Sequence, residues 1–460
     1  MRNIKLPKNP YILFFPFLIL YTIYVLVFPP NGTAGDAPQY LSYAESLLSF
    51  HFKEPLFDTG WIPTGPGYPI ILMPFVLFKL PLICITLLNA LFYYLSIILI
   101  FKSLQLLVEQ RMAVLTSLFW AFYVNSFFYM NLIGSEVFTS FLIALLIFSV
   151  LKTFNSIEVK KIKKYLIISG ITLGFIILTK VIFGYVVLVL LLGSIALWFR
   201  NKKSVNFSRV LMILLISFGL TIPYLTYTYY HTGKIFYWAT SGGNNLYWLT
   251  TPYEGEYGDW QSFSMLRKAS TGEYEGNRIY YNDSNISNHL KVYYENINYN
   301  KIPQNDKFGV MQMNYIQDDK FKSIAINNIK KHPVKFLQNW INNIERILFN
   351  YPYSYILQNP RSLFKTLLNA FICVLLLFSL IPTYKNWYKI NFAIRFLIFF
   401  SLIYLGGSTF GSAESRMFSI TAPVLLLWIA FILQNTIKIN LKFNAVLPNT
   451  HEKENLLKKE

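Results

Sequence analysis

Five charged residues stand at the edges of long apolar runs, and their types suit chemistry on a phosphate: Asp36, Glu136, Lys180, Glu414 and Arg416. A carboxylate beside low-dielectric material is poorly solvated, so it can act as a base or hold a cation. Lys and Arg in the same setting can stabilise charge that develops on a leaving phosphate. Asp36 lies a few residues beyond the first apolar run, in the Gly- and Pro-rich stretch Asn31 to Tyr68, where the preceding helix cannot continue. It also precedes Pro38, so a helix N-cap is an equal reading, and the two roles are compatible. Each of the others has a structural alternative: Glu414 with Arg416 as a bridge between spans, Lys180 as a snorkelling amine, and Glu136 as an acid favoured by a helix dipole. None of these alternatives explains why both signs collect at one face, and charges at such depth are functional by default.

The elements that position these residues follow from composition. Of 460 residues, 54% are hydrophobic, 18% aromatic and 14% charged, against about 25% charged in a soluble protein. This is an all-α polytopic membrane protein. The formal charge of +19 does not point to nucleic acid, because Lys and Arg fall between apolar runs, as in cytoplasmic membrane loops. Cys84 and Cys373 both sit in apolar segments far apart, which implies neither a disulfide framework nor a metal cluster.

With about 20 apolar residues to a span, the sequence predicts ten crossings: Tyr11 to Phe28, Leu82 to Phe101, Met112 to Met130, Val137 to Leu151, Tyr165 to Thr179, Phe183 to Phe199, Val210 to Tyr230, Phe364 to Ile381, Phe392 to Thr409 and Met417 to Leu433. The Lys160 to Lys164 loop sets the orientation, with both termini cytoplasmic and Asp36 external. The basic start followed by an apolar run reads as a retained first span, since no small-residue cleavage site precedes Pro29-Pro30. In the first external loop, residues 31–81, an interfacial helix is expected from Pro38 to Phe50, and Tyr68 to Leu80 is too short and Pro-interrupted to cross. The chain divides into a transmembrane module (1–230), an external polar region (231–362) and C-terminal spans with a basic tail (363–460). The external region ends in an amphipathic surface helix that spaces Val334, Leu337, Ile341, Ile344 and Leu348.

On this map the chain resembles a known family. Gly35-Asp36-Ala37 with Tyr40, the run from Gly67 to Leu72, Ser135-Glu136, Leu178-Thr179-Lys180, Ile222-Pro223-Tyr224, Thr232-Gly233-Lys234, Ser241 to Leu246, His332-Pro333 and Glu414-Ser415-Arg416 follow one another in order. Together they resemble the polyprenyl-phosphate-dependent glycosyltransferases of the GT-C superfamily. Within it the resemblance is to glycosyltransferase family 39, with its protein O-mannosyltransferases and aminoarabinose transferases. The chain departs from the family where Tyr227-Thr228 replaces Arg-Asn and where Lys180 replaces an Arg and lacks the following Pro. The acidic residue that many members carry before the Pro-rich helix of the first loop is absent around Thr64-Gly65-Pro66. A divalent metal is therefore left uncertain, and the sequence itself requires no cofactor.

The resemblance implies a GT-C type bundle and a lipid-linked sugar donor of the polyprenyl-phosphate type, used at the outer face on an unknown external acceptor. Asp36 would then be the base, Glu136 would assist in acceptor or base positioning, and Lys180 and Arg416 would clamp the phosphate beside Glu414. Tyr40, Tyr68 and Trp61 would stack on sugar or belong to the interfacial aromatic belt. Two other classes are compatible with the composition. An envelope polysaccharide polymerase or ligase would rely on Arg- and His-rich outer loops, and a lipid-linked sugar flippase or transporter would place charges near the bilayer midplane.

Overall fold

The computed structural model describes residues 9–32, 35–48, 62, 64–200, 204–270, 284–297, 313–355 and 360–435. Those residues form helices and connecting loops, with no strand among them. In chain order the helices are α1 (Pro10–Val27), α2 (Ala37–Leu48), α3 (Gly67–Leu77), α4 (Ile83–Leu104), α5 (Gln110–Ala121), α6 (Val124–Met130), α7 (Ser135–Asn155), α8 (Val159–Thr179) and α9 (Ile182–Arg200). They continue with α10 (Val205–Thr232), α11 (Gly242–Leu249), α12 (Phe263–Ser270), α13 (Ser284–Asn296), α14 (Tyr315–Lys331), α15 (Pro333–Phe349), α16 (Pro360–Lys385), α17 (Phe392–Ser408) and α18 (Ser415–Asn435).

Among the described residues, eight helices are long and apolar enough to cross a membrane, or nine if α5 and α6 form one span. Ten crossings were expected. The difference is α17, whose 17 residues cover about 26 Å, short of the roughly 30 Å hydrocarbon core. Trp61, the first eight residues and the basic tail beyond Asn435 lie outside the described residues, so the expectations placed on them go untested.

The expected single span from Met112 to Met130 is instead bent by 47° between α5 and α6. Such a break frees backbone carbonyls in a setting without water, where they must find protein donors. Tyr93 donates to the Trp120 carbonyl at 2.6 Å and Tyr21 to that of Ala121 at 2.7 Å, and the Asn89 amide reaches Met130 and Leu132 just past the short arm. These buried hydroxyls and amides make the bend tolerable.

Helices α7 and α18 are the most enclosed of the spanning set. Helix α7 packs against α8, α4 and α18, and α8 packs in turn against α10. Leu, Ile and Phe on the outer spans, such as Leu215, Phe378 and Leu377, are largely exposed, as lipid-facing side chains should be.

The amphipathic helix expected near Val334 to Phe349 is α15, and it is oriented polar side inward. Val334, Leu337 and Ile341 are exposed, whereas Asn339, Asn343 and Arg346 are fully buried. Asn339 donates to the carbonyls of Leu249 and Thr251, Asn343 to that of Thr409, and Arg346 to those of Tyr257 and Pro352. The polar stripe thus satisfies loop carbonyls of the protein, and the apolar stripe faces outward as on a helix lying at a lipid surface. A second apolar cluster, centred on Trp248, Tyr293 and Phe321, gives the region from α11 to α14 a core of its own.

Candidate active site

Four chain segments far apart in sequence end at the same place. Helix α2 starts after Asp36, α7 starts at Ser135, α8 ends before Lys180, and α18 starts at Ser415. The side chains at these ends meet. Lys180 Nζ lies 3.1 Å from Glu136 Oε1, and Arg416 Nη1 lies 3.3 Å from the same oxygen. Arg416 Nη1 also lies 3.4 Å from Asp36 Oδ2, while its Nε and Nη2 form a two-point contact with Glu414 at 2.9 and 3.2 Å. All five charges identified in the sequence therefore belong to one cluster, three carboxylates around two cations. Each cation keeps its hydrogen bonds short of saturation, with donors left for an incoming anion.

Local sequence explains how the cluster is held. The N-terminus of α3 presses on the end of α8 so closely that a Cβ on Gly67 would lie 2.5 Å from Thr179 Oγ1 and 2.6 Å from its amide nitrogen. Only glycine admits that approach, which fixes the residue before Lys180. Beside Glu136, a Cβ on Gly134 would come within 2.6 Å of Oε2. Glu136 itself sits in the first turn of α7, where the helix dipole favours a negative charge.

Asp36 stands immediately before α2. Its carbonyl accepts the Tyr40 amide at 3.1 Å and so opens α2. Its carboxylate, among the described residues, bonds to Arg416 rather than to helix amides. With 42% of its side chain exposed, Asp36 is the most open of the three carboxylates, ahead of Glu414 at 35% and Glu136 at 11%. Tyr40 is buried behind it, its hydroxyl 3.1 Å from Ser135 Oγ and its ring edge-on to Tyr68 at 5.0 Å. Burial first, and then the carboxylates of Asp36 and Glu136, push the Tyr40 hydroxyl well above the ordinary phenol range, so it stays protonated. Tyr68 is shifted the same way, chiefly by burial. Both rings are buried in this structure, and Tyr40 is among the residues that line the cavity beside the cluster.

The cluster opens into a cavity of about 320 Å³. Asp36, Lys180, Glu414 and Arg416 line one part of it; the other lining residues include the apolar Val181, Ile182, Met313 and Met417 and the neutral polar and aromatic Gln39, Ser241, Asn244, Asn245 and Trp260. The sequence reading assigned no role to this wall, because each residue is ordinary in a loop and only folding brings it to the charges. The run Ser241 to Leu246 was its one trace.

The wall is anchored on both sides. Thr240 and Ile62 exchange hydrogen bonds: the Thr240 amide donates to the Ile62 carbonyl at 2.8 Å, and the Ile62 amide donates to the Thr240 hydroxyl oxygen at 3.0 Å. Asp318 takes the amides of Gly243 and Asn244 at 2.8 and 3.1 Å. Burial raises the Asp318 carboxyl above its usual range, against the lowering effect of those two amides. Asn244 is oriented by Tyr293, which donates to its Oδ1 at 2.7 Å and leaves the amide NH2 to turn elsewhere.

No group of three or more His, Cys, Asp or Glu side chains that could hold a metal occurs among the described residues. The three carboxylates of the cluster fan around Arg416 rather than converging on one point, so no metal ligand set is assigned.

No family model and no curated protein sequence matches this chain. Solved structures do. The chain is similar to the apo oligosaccharyltransferase of Archaeoglobus fulgidus, with a TM-score of 0.47 and 12% identity over 91% of this chain and 50% of that one. It is also similar to archaeal AglB from the same organism in complex with an inhibitory peptide and a dolichol-phosphate, with a TM-score of 0.44 and 13% identity over 91% of this chain and 50% of that one. A third similar structure is ArnT from Cupriavidus metallidurans bound to undecaprenyl phosphate, with a TM-score of 0.39 and 11% identity over 92% of this chain and 77% of that one. The chain spans about half the length of the archaeal transferase.

Proposed function

We propose that this protein is a membrane glycosyltransferase of GT-C type, which moves a sugar from a polyprenyl-phosphate-linked donor to an external lipid, glycan or protein acceptor with inversion. The observation that carries the reading is the meeting of Lys180, Arg416 and an exposed Asp36 at one mouth of a cavity whose wall also carries the amides of Gln39, Asn244 and Asn245 and the indole of Trp260. Two cations at the end of a transmembrane bundle suit a phosphate that arrives at membrane depth. Uncharged amides and an indole suit a sugar.

In this mechanism Lys180 and Arg416 hold the phosphate oxygens. The acceptor hydroxyl attacks the anomeric carbon from the face opposite the phosphate, and Asp36 takes its proton. The bond from the anomeric carbon to the phosphate oxygen breaks, and its electron pair leaves with the polyprenyl phosphate, whose growing charge the two cations stabilise. Glu136 keeps the cations in register. It bonds both of them and is too enclosed to meet an acceptor. Both termini would be cytoplasmic and the cavity external.

A transporter would need charges near mid-depth, and the five charges of this cluster all sit at helix ends. The test is to supply membranes containing the protein with a polyprenyl-phosphate monosaccharide labelled in the sugar, and to follow label into any fraction other than the carrier lipid. Transfer that is lost in Lys180→Ala and Arg416→Ala supports the reading. Equal transfer in all three proteins refutes it.

A further inference from the structure

The other end of the bundle holds a second cavity, of about 870 Å³, between α9, the start of α10, and α17. It is unrelated to the catalytic cavity. Helix α17 reaches the catalytic end at Ser408, next to Gly411 of that cavity, and Arg395 lies 13 residues earlier, hence about 20 Å away along the helix.

The groove is mostly apolar: Leu190, Phe396, Phe399 and Ile403 are among its walls, and Ser194, Ser204 and Asn206 are its neutral polar members. One charged residue lines it, Arg395, in the first turn of α17. The Arg395 guanidinium makes cation–π contacts with Trp387 and Phe392, at 5.7 and 5.4 Å from the ring centres, and its Nε is shut off from solvent without a hydrogen-bond partner. None of the described acidic side chains lies within ion-pair distance of it. A guanidinium in such a place is costly unless an anion completes it.

Length and charge together identify that anion. Along α17 the groove runs from Phe392 to Ile403, about 16 Å at 1.5 Å per residue, which is half the roughly 30 Å hydrocarbon thickness. That is the depth of one leaflet. An aromatic pair, Trp387 and the almost fully exposed Tyr388, stands at its open end, where such side chains mark the headgroup level. Basic pockets between spanning helices are a recurring way to hold phosphate headgroups. We infer that the groove between α9 and α17 is a binding site for one anionic membrane phospholipid, its acyl chain lying along α17 and its headgroup phosphate paired with Arg395. The site is in the leaflet away from the catalytic cavity and stands independently of the proposed reaction.

Native mass spectrometry of the full chain, released from detergent with added phosphatidylglycerol or phosphatidylcholine, tests this. One phosphatidylglycerol should be retained about tenfold more tightly than phosphatidylcholine, and Arg395→Gln should remove the preference. A second variant fills the groove and keeps the arginine. Gly193 lines it, and a Cβ there meets nothing within 4 Å, so Gly193→Leu should fold normally and lose the bound lipid. Equal retention of the two lipids would mean that no headgroup is read, and would overturn the proposal. So would unchanged phosphatidylglycerol binding in both variants, or displacement of phosphatidylglycerol by equimolar undecaprenyl phosphate, which would make the groove a carrier-lipid site.

Discussion

Replacing Asp36 by Asn separates a base from a support. The carboxylate is near half exposed and touches Arg416 at 3.4 Å, so the lost ion pair costs at most about 1 kcal/mol. Arg416 still holds Glu136 and Glu414, and the Asp36 carbonyl that opens α2 is untouched. Donor binding should not fall. A like charge roughly 5 Å from a phosphate repels it by about 1 kcal/mol in water and about 3 kcal/mol at an effective dielectric constant near 20. At this exposure the lower figure applies, so Asp36→Asn should bind the donor up to about fivefold more tightly. Transfer should fall by about a hundredfold to ten-thousandfold, because Glu136 is enclosed and Glu414 is held at two points by Arg416, so neither takes over as base. The two effects have opposite signs, and a folding defect cannot produce both. The assay pairs equilibrium binding of a labelled polyprenyl-phosphate monosaccharide in nanodiscs with single-turnover loss of the sugar from the carrier. Near-normal transfer would remove Asp36 as base, and weaker donor binding would show that its carboxylate holds the donor.

Four further outcomes are expected. Lys180→Ala and Arg416→Ala should each weaken donor binding by about tenfold to a hundredfold, the loss of a charge-assisted contact of about 1.5–3 kcal/mol, measured in the same nanodiscs. Gly67→Ala puts its Cβ against backbone of Thr179 and should lower thermal stability by about 1–3 kcal/mol, whereas Gly134→Ala meets only the tip of Glu136 and should cut transfer while leaving the melting temperature nearly unchanged. Burial holds the folded Asp318 carboxyl above its ordinary range, so the native state binds this proton more tightly than the unfolded one. Stability from this group is then present at low pH and falls as pH rises from about 4 through the raised value, and Asp318→Asn should flatten that slope in pH-dependent melting. In a chain first cleared of Cys84 and Cys373, a cysteine replacing the exposed Tyr294 should react with an impermeant maleimide in intact cells, and labelling only after the inner face is opened would invert the topology.

What the sequence made legible was whatever broke its own pattern. Asp36, Glu136, Lys180 and Arg416 stood out because a charge beside an apolar run is expensive, and the structure brings all of them together with Glu414. Helix α15 was legible for the same reason, in its 3.6-residue alternation, although periodicity alone could not say that its polar stripe is the buried one. The cavity wall of Asn244, Asn245 and Trp260 was not legible, because polar residues in a polar region break no pattern. Arg395 went unassigned because it was absorbed into a span counted by hydropathy. The bend between α5 and α6 was hidden because the donors that tolerate it, Tyr21, Tyr93 and Asn89, come from other helices.

The position of Arg416 in the chain has a consequence for biosynthesis. Asp36, Glu136 and Lys180 emerge from the ribosome in that order, and the arginine that bonds both carboxylates follows 280 residues after Glu136. Until α18 enters the membrane, Glu136 has one cationic partner from the cluster, Lys180, and Asp36 has none. Insertion of the last described helix therefore does more than complete the bundle. Arg416 arrives together with Glu414, so the formal charge of the cluster stays the same, two carboxylates and one lysine before and three carboxylates and two cations after; what changes is that Asp36 gains its partner and the second cation of the proposed phosphate clamp takes its place.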